Sequence, residues 1–425
     1  MEAIQYVSRP HTPSRWQGFV DSLPLFVIEA LCSAAGSLLS IGTSFFMKDR
    51  FGWGMRQNFV LAAAQGMAYV PAALLAGRIT GLLGRGGALR IAYFLLTALA
   101  VAAWKLAGGL GSAGAVAGVV VLYTFVIGTT WPVLESLVAG GEPSGMALRL
   151  STYNVVWPAA GALAIAIEGT LIKHWGQAIF LVPAALHGLA LLLVVANFRK
   201  KTLASHDASL PHAEPEPELV RVRTLALWMS RTALPATYTV IYGLMPLMPF
   251  LGVMKNLGTS TQTVVASVWL FSRFAAFVVL AMGTWWHTRP RLLLWAALAM
   301  LVAFFGMTLP PTLGRSPGID LGCMIAWQAV LGAALGMIYS ASLYFGMALS
   351  KGSTEHGGYH EALIGLGWVL GPGAGAMAER IKPGEMWVGI AAVGAVIALS
   401  VLVVLTTAVV MGRTNPAIPQ TGEEL

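Results

Sequence analysis

The chain reads as a succession of long apolar stretches, twelve in all, at 22–47, 57–83, 89–109, 113–139, 148–172, 176–198, 224–251, 261–286, 291–309, 319–349, 358–380 and 385–411. Each is about long enough to cross the ~30 Å hydrocarbon core of a bilayer as a helix, which takes ~20 residues. No other feature restricts the fold so strongly, because backbone groups in hydrocarbon must find partners inside their own helix or in a closed barrel. Apolar runs of this length, rather than ten-residue alternations, select helices over a barrel. With 57% of residues hydrophobic and only 10% charged, there is too little polar surface to coat a water-soluble globule. The expected class is an all-α polytopic membrane protein.

One long polar segment interrupts the pattern near the midpoint, RKKTLASHDASLPHAEPEPELVRVR at 199–223. Basic clusters bound it, and the acids and prolines between them read as a flexible tether with low packing propensity. It divides the chain into a tail at 1–21, a six-helix bundle at 22–198, the linker at 199–223, a second six-helix bundle at 224–411 and a tail at 412–425. With both tails and the linker on one side, that side carries fifteen Lys and Arg residues, among them Arg9, Arg15, Arg78, Arg85, Arg90, Arg199, Lys200 and Lys201. The other side carries nine, including Lys48, Lys105, Lys173, Lys255 and Arg315. The positive-inside rule then places both termini in the cytoplasm, in a plasma-type inner membrane, and accounts for the net charge of +8 without a nucleic-acid partner. The first run contains Glu29 and shows no small-residue cleavage site, so it is expected to be retained as a span. Cys32 and Cys323 both lie inside apolar runs and read as packing residues. Trp53, Trp285, Trp286 and Trp387, at the ends of runs, read as an interfacial belt.

Charged groups deep inside apolar helices cost about 2.5–3.5 kcal/mol each on insertion scales, so each needs a partner, a wet cavity or a function. Glu29 shares a helical face with Ser33, Gly36, Ser40 and Thr43, a face suited to a cavity wall. Glu135 lies toward the end of the fourth span, Arg231 about 12 Å into the seventh, and Arg273 near the middle of the eighth between Trp269 and Phe277. These arginines could attract an anionic or strongly polar solute while an acid carries a proton; a static ion-pair network that orients helices is the alternative. Glu168 pairs with Lys173 at the interface or serves as a gate. Glu361 falls at the start of the eleventh span, where an acid caps a helix N-terminus, yet it shares a face with Trp368, Pro372 and Gly375 and adjoins His360. Tyr153, Asn154, Trp157, Tyr238, Tyr242, Gln328, Tyr339 and Tyr344 add rings and amides suited to an amphipathic solute, or to packing.

Sliding the second half back by 206 positions superimposes the loop rhythm and pairs Tyr153 with Tyr359, Gly161 with Gly367 and Gly169 with Gly375. A parallel six-plus-six repeat of this kind is a secondary-transporter architecture. The loop GRITGLLGRGGALR, with Gly77, Gly84, Arg85 and Arg90, resembles the motif between the second and third helices of the major facilitator superfamily. Gly81 stands where that motif has its acid, and Leu82 where a basic residue follows. The stretch from Gly367 through Gly371, Pro372 and Gly375 is similar to the GxxxGPxxG pattern of proton-coupled exporters of the superfamily, although there it belongs to the fifth helix and here to the eleventh. Its physical content is close helix packing around a bend. The resemblance implies that helices one, four, seven and ten line a central cavity, so that Glu29, Glu135 and Arg231 face it.

No P-loop, HExxH, nucleophile elbow or paired Cys/His set is present, so neither an ATP-driven pump nor an intramembrane enzyme has its machinery, and no cofactor or metal is expected. The expected activity is alternating-access transport of a small organic solute, anionic or amphipathic, with protons as coupling ion and a monomer as the working unit. Arg231, Arg273, Tyr238, Tyr242, Trp157, Asn154, Gln328 and Tyr339 are the candidate solute contacts, and Glu29, Glu135 and Glu361 the candidate proton carriers. Proton-driven efflux of amphiphiles and a transport-dead sensor or scaffold are the competing expectations.

Overall fold

The computed structural model describes residues 19–109, 111–140, 145–198, 217–309 and 316–414. Expectations placed on the rest, which include Arg9, Arg15, Arg199, Lys200, Lys201, Arg315 and most of the linker, lie outside the described residues. In the first half of the chain α1 (Leu23–Ser40) and α2 (Gly42–Phe51) make the first crossing, and α3 (Met55–Gly108) the second and third. The fourth consists of α4 (Ala113–Gly128) and α5 (Trp131–Ala139), the fifth of α6 (Met146–Trp175) and the sixth of α7 (Ala178–Asn197). The second half follows with α8 (Pro217–Leu247), α9 (Thr259–Ala281), α10 (Arg291–Thr308), α11 (Pro317–Ser350), α12 (Thr354–Ile381) and α13 (Met386–Thr414). Among the described residues nine segments are apolar and long enough to span a bilayer. One of these, Met55–Gly108, supplies two crossings, and the more polar α8 and α12 complete the twelve.

Breaks in the helices have local causes. The expected loop between the second and third spans shrinks to a sharp kink at Gly84, whose φ of 69° and ψ of 157° fall where only glycine sits without strain. The first crossing bends at Ile41. The fourth is broken at Thr129–Thr130, and α5 restarts with Pro132 in its first turn, where the missing N–H costs no helical bond. The eighth crossing ends at Ala281 rather than at 286, and the chain folds back at once. Trp286 is therefore buried rather than part of an interfacial belt, with its Nε1 donating to the Leu280 carbonyl at 3.1 Å. The eleventh crossing starts at Thr354, earlier than the apolar run, because Ser353 caps it by accepting from the Glu355 N–H at 3.2 Å. Glu355 thus takes the first-turn position, and Glu361 lies about two turns inside the helix.

Two seams join the halves: the first arm of α3 packs on α12, and α6 packs on α9. Under a repeat of six crossings the second maps onto the eighth and the eleventh onto the fifth, so the seams are equivalents of each other. The α12 seam is built from glycine. A Cβ at Gly367 would lie 2.2 Å from the Pro235 carbonyl oxygen of α8, and one at Gly371 2.3 Å from that of Thr239. On its other face α12 meets α3, where a Cβ at Gly358 would come within 2.7 Å of the Ala73 carbonyl oxygen and one at Gly66 within 2.7 Å of the Trp368 backbone. Gly375 admits the Phe59 ring at 2.5 Å. Gly77 faces Glu355 across the same seam, while Arg90 ties α3 to the end of α7 by donating to the Phe198 carbonyl. Arg85 is half-buried just beyond the kink.

Backbone contact at this distance leaves no room for a methyl group, and overpacking costs about 1–3 kcal/mol. Gly367→Ala is expected to lower the melting temperature of the detergent-purified protein measurably. Gly373→Ala, where nothing lies within 4 Å of the added carbon, should leave it unchanged or raise it; equal melting temperatures would remove backbone contact as the reason for Gly367. A second expectation concerns His287, which follows Trp286 and stacks on Tyr344 with ring centroids 4.1 Å apart. Burial, and after it the nearby Arg223 charge, lowers its pKa from 6.5 to about 4. An unfolded histidine titrates at the higher value, so this group's stabilisation is complete above about pH 6.5 and is lost as pH falls toward 4. The melting temperature should fall across that window more steeply in the parent than in His287→Phe, and parallel slopes would contradict the assignment.

Candidate functional site

Where the two seams converge, the helices enclose a cavity of about 130 Å³, room for several waters or part of a small solute. Its wall is drawn from the first, fourth, seventh and tenth crossings, and also from the second, fifth, eighth and eleventh. From the first half come Glu29, Ser33 and Ser37 of α1, Tyr69 of α3, Trp131 of α5, and Tyr153 and Trp157 of α6. The second half contributes Tyr238 and Tyr242 of α8, Trp269 and Arg273 of α9, Tyr339 of α11, and Glu361 and Trp368 of α12. Small residues let α1 approach: a Cβ at Gly161 of α6 would touch the Ser37 hydroxyl at 2.7 Å, and Gly36 accommodates Ile127 at 3.1 Å.

Arg273 occupies one end of the cavity. It is fully buried, and its guanidinium carbon lies 4.5 Å from the ring centroid of Trp157, 4.8 Å from Tyr339, 5.5 Å from Phe277 and 5.6 Å from Tyr238. Four aromatic faces stabilise the cation through their quadrupoles. Its Nη2 donates to the Tyr238 hydroxyl at 3.4 Å, while Nε and Nη1 have no hydrogen-bond partner. A buried donor left unpaired costs about 1–3 kcal/mol, so this end of the cavity favours a group that accepts hydrogen bonds, above all an anionic one. Tyr242 and Trp368 stack face to face at 3.8 Å beside it, and Tyr69 leans on the same indole at 5.4 Å.

Acids gather close by, with Glu29 and Glu361 in the same wall. Glu29 is 1% exposed; its Oε1 accepts from the Ser33 hydroxyl at 3.1 Å and its Oε2 has no partner. The Tyr69 hydroxyl donates to Glu361 Oε2 across the seam between the halves. Glu135 of α5 lies behind the wall, buried, with the Tyr339 hydroxyl 3.5 Å from its Oε1. His360, next to Glu361, is held by Ser342, whose Oγ is 2.9 Å from Nδ1.

The candidate residues divide on this geometry. Arg273, Trp157, Tyr238, Tyr242, Tyr339, Glu29 and Glu361 converge on one cavity, and Glu135 joins them through Tyr339. Arg231 does not reach it; half-buried, it packs beside Gly346 of α11. Asn154 donates to the Ser340 hydroxyl at 3.5 Å and lines a separate space of about 10 Å³. Gln328 accepts from the Trp269 backbone N–H at 3.4 Å. Glu168 is fully buried against Gly42, and neither of its oxygens has a partner, so it forms no interfacial pair with the exposed Lys173. Tyr69 had gone unrecognised, although Gln65, Gly66 and Tyr69 share a helical face on which a polar ring, an amide and a glycine mark a contact surface.

Hydrogen bonds join the halves on both sides of the cavity. At the near face, where α1 begins, the Ser136 hydroxyl donates to the Gly352 carbonyl at 2.9 Å and the Thr354 hydroxyl donates to Ser136 at 2.9 Å. At the far face Lys48 donates to the Pro249 carbonyl at 3.1 Å, the Thr259 hydroxyl to Asp49 at 2.9 Å, and the Gly169 N–H to the Thr263 hydroxyl at 3.0 Å.

Comparison with known proteins agrees with this architecture. The family model described as Major Facilitator Superfamily matches residues 25–372. A crystal structure of an aspartate-to-alanine variant of the nucleoside transporter NupG superimposes with a TM-score of 0.65 at 13% identity, covering 92% of this chain and 99% of that one. NupG itself gives 0.63 at 13% identity, covering 92% and 98%. Among curated proteins none matches this sequence significantly. The helical architecture of the described residues, the cavity where the two seams meet, and above all a family model spanning most of the length place this chain in the Major Facilitator Superfamily of secondary transporters.

Proposed function

We propose that the protein moves a small organic solute bearing a hydrogen-bond-accepting, anionic group through the cavity, coupled to protons, by rocking of the bundles at 22–198 and 224–411 around the site between them. The observation that carries this reading is Arg273, a fully buried guanidinium with two unpaired N–H positions in an aromatic-walled cavity. A charge so placed is costly without a function, and Trp157, Tyr238, Tyr242 and Tyr339 offer flat apolar surface for the body of the same solute. Glu29, in the cavity wall with one oxygen free, is the acid assigned to the proton, and Glu135 and Glu361 complete the acidic group. In this reading the near face is cytoplasmic, the membrane is a plasma-type inner membrane and the monomer is the transporting unit. Because solved structures of similar fold include a nucleoside transporter, nucleosides belong in the solute panel beside aromatic and aliphatic carboxylates.

Vesicles containing the purified protein, with an imposed pH gradient, provide the test. Addition of the right solute should start proton movement in the parent. Hydrogen bonds to a charged group contribute about 1.5–3 kcal/mol, so Arg273→Met should raise the KM for solute by roughly 10- to 100-fold. Glu29→Gln should retain solute exchange while losing proton movement. Unaltered flux in Arg273→Met would remove the guanidinium from the site; proton movement in Glu29→Gln equal to that of the parent would remove Glu29 from coupling.

The bonds at both faces yield a further expectation. Each buried hydrogen bond removed costs about 0.5–1.5 kcal/mol, a shift of roughly 2- to 10-fold in a two-state equilibrium, and Ser136 makes two of them. Ser136→Ala should open the near face, and Thr263→Val the far face. Single-cysteine reporters placed at each mouth and labelled with an impermeant thiol reagent should change accessibility in opposite directions. A common direction of change would contradict the assignment of these bonds to two separate gates.

A further inference from the structure

We propose that Glu135, His360 and Glu361 form a binding site for one divalent transition-metal ion of the Zn²⁺, Mn²⁺ or Co²⁺ type, shared between the two halves of the chain. Each residue presents one ligand atom, and the three atoms lie within 4.8 Å of one another. All three side chains are buried, at 0%, 2% and 3% exposure. Glu135 comes from α5 in the first half, and His360 and Glu361 come from α12 in the second. Gly357 makes the approach possible, since a Cβ there would stand 3.1 Å from Glu135 Oε2.

What converges is a set of lone pairs short of donors. Glu135 Oε2 and His360 Nε2 have no hydrogen-bond partner. The other polar atom of each ligand is held from outside the cluster. Ser342 Oγ lies 2.9 Å from His360 Nδ1, Tyr339 engages Glu135 Oε1 at 3.5 Å, and Tyr69 engages Glu361 Oε2. A metal-binding histidine typically gives its second ring nitrogen to such a partner, which fixes the tautomer and leaves the free nitrogen to ligate. One imidazole and two carboxylates suit borderline divalent ions rather than Ca²⁺ or Cu⁺. Three protein ligands leave a coordination position open, and Glu361 places that position at the cavity wall.

Charge favours the same occupant. Two carboxylates buried together repel unless a cation is near them; Arg273, whose guanidinium carbon lies 4.8 Å from the Tyr339 ring, offsets part of that repulsion, and a divalent ion between the two would neutralise the rest. A single shared proton is the competing occupant. It would bridge the two carboxyl groups and leave the His360 lone pair unused. Because the ligands come from both halves close to the Ser136–Gly352 contact, a bound ion would hold the near face closed. That consequence for turnover rests on the transport reading, whereas the binding site does not.

The test uses the full-length protein in nanodiscs, stripped with chelator and titrated with Co²⁺ by visible absorption and with Zn²⁺ by calorimetry, in the absence of solute. One ion per chain is expected, with ligand-field bands of a nitrogen-and-oxygen set. Glu135→Gln, His360→Phe and Glu361→Gln should each weaken binding at least tenfold, and Ser342→Ala should weaken it about 10- to 100-fold, the range for loss of an outer partner. Metal-free melting temperatures establish that each variant is folded. Glu361→Asp, which keeps the charge but withdraws it by one methylene, replaces any variant that is not, with the same weakening expected. Absence of saturable binding in the parent, the outcome expected of a carboxyl pair that merely shares a proton, would overturn the site, as would binding that survives His360→Phe. Neither measurement depends on flux, so failure here leaves the transport reading standing, and failure of transport leaves the metal site standing.

Discussion

The approach of α12 to two helices at once is the contact on which the rest of the site depends. Gly367 and Gly371 let its backbone touch α8, and Gly358, with Gly66 opposite, lets it touch α3. Lipid supplies no hydrophobic force to press helices together, so close van der Waals contact along small residues carries much of the association. Polar side chains add to it in the first half, where Gln65 donates to the Thr124 hydroxyl at 3.1 Å and Asn58 to the Ser44 carbonyl at 3.0 Å. Were α12 held off α3 by even one methyl group at Gly358, Glu361 and Trp368 would move away from Tyr69, and the wall of the cavity would open. Packing in the seam and chemistry in the cavity are one problem for this fold.

Much of this was legible in the sequence, for a physical reason. Length and hydropathy are imposed by the bilayer, so crossings at 57–83 or 291–309 announce themselves without knowledge of their neighbours. Deep charges are equally visible, because lipid tolerates few of them, and Arg273 and Glu29 stand out on that ground. What stayed hidden depends on rotation and on helix ends. Arg231 lies on a span expected to line the cavity, yet its side chain meets α11 at Gly346 instead. Glu361 read as a first-turn cap because the apolar run begins at 358; Ser353 and Thr354 start the helix earlier, in polar sequence that hydropathy treats as loop. Trp286 shows the opposite error, since an apolar run can continue past the end of its helix. Tyr69 has in sequence only the contact face that it shares with Gln65 and Gly66; its tie to Glu361 depends on the partner across the seam.

The glycine motif illustrates how one pattern can be read at two levels. In sequence, Gly367, Gly371, Pro372 and Gly375 raise the question of transport direction by analogy. In the fold, each of the three glycines faces a different obstacle: the Pro235 carbonyl, the Thr239 carbonyl and the Phe59 ring. These are constraints on packing, and they would hold for uptake or export alike. The same is true of the kink at Gly84, which needs a residue free to adopt positive φ whatever the loop around it does. Direction of transport is therefore a property of the driving gradients and of the cavity's affinities, and these glycines do not encode it.

Electrostatics couples the cavity to the movement of the halves. Arg273 and its aromatic cage belong mainly to the second half, with Trp157 reaching in from the first. Glu135 belongs to the first half and is pressed against His360 and Glu361 only while α5 and α12 are together at the near face. Any motion that parts those helices separates the carboxylates and admits water to them, which removes the need for a cation between them. A cation that binds the closed cluster more tightly than the parted one must, by linkage, favour closure by the same free energy with which closure favours its binding. That reciprocity follows from placing one acid on each side of a seam between the halves, and it would hold whatever solute the cavity accepts. On the proposed metal site, the position of Glu135, distant in sequence from α12 and behind the cavity wall, is what a ligand shared across the near face requires.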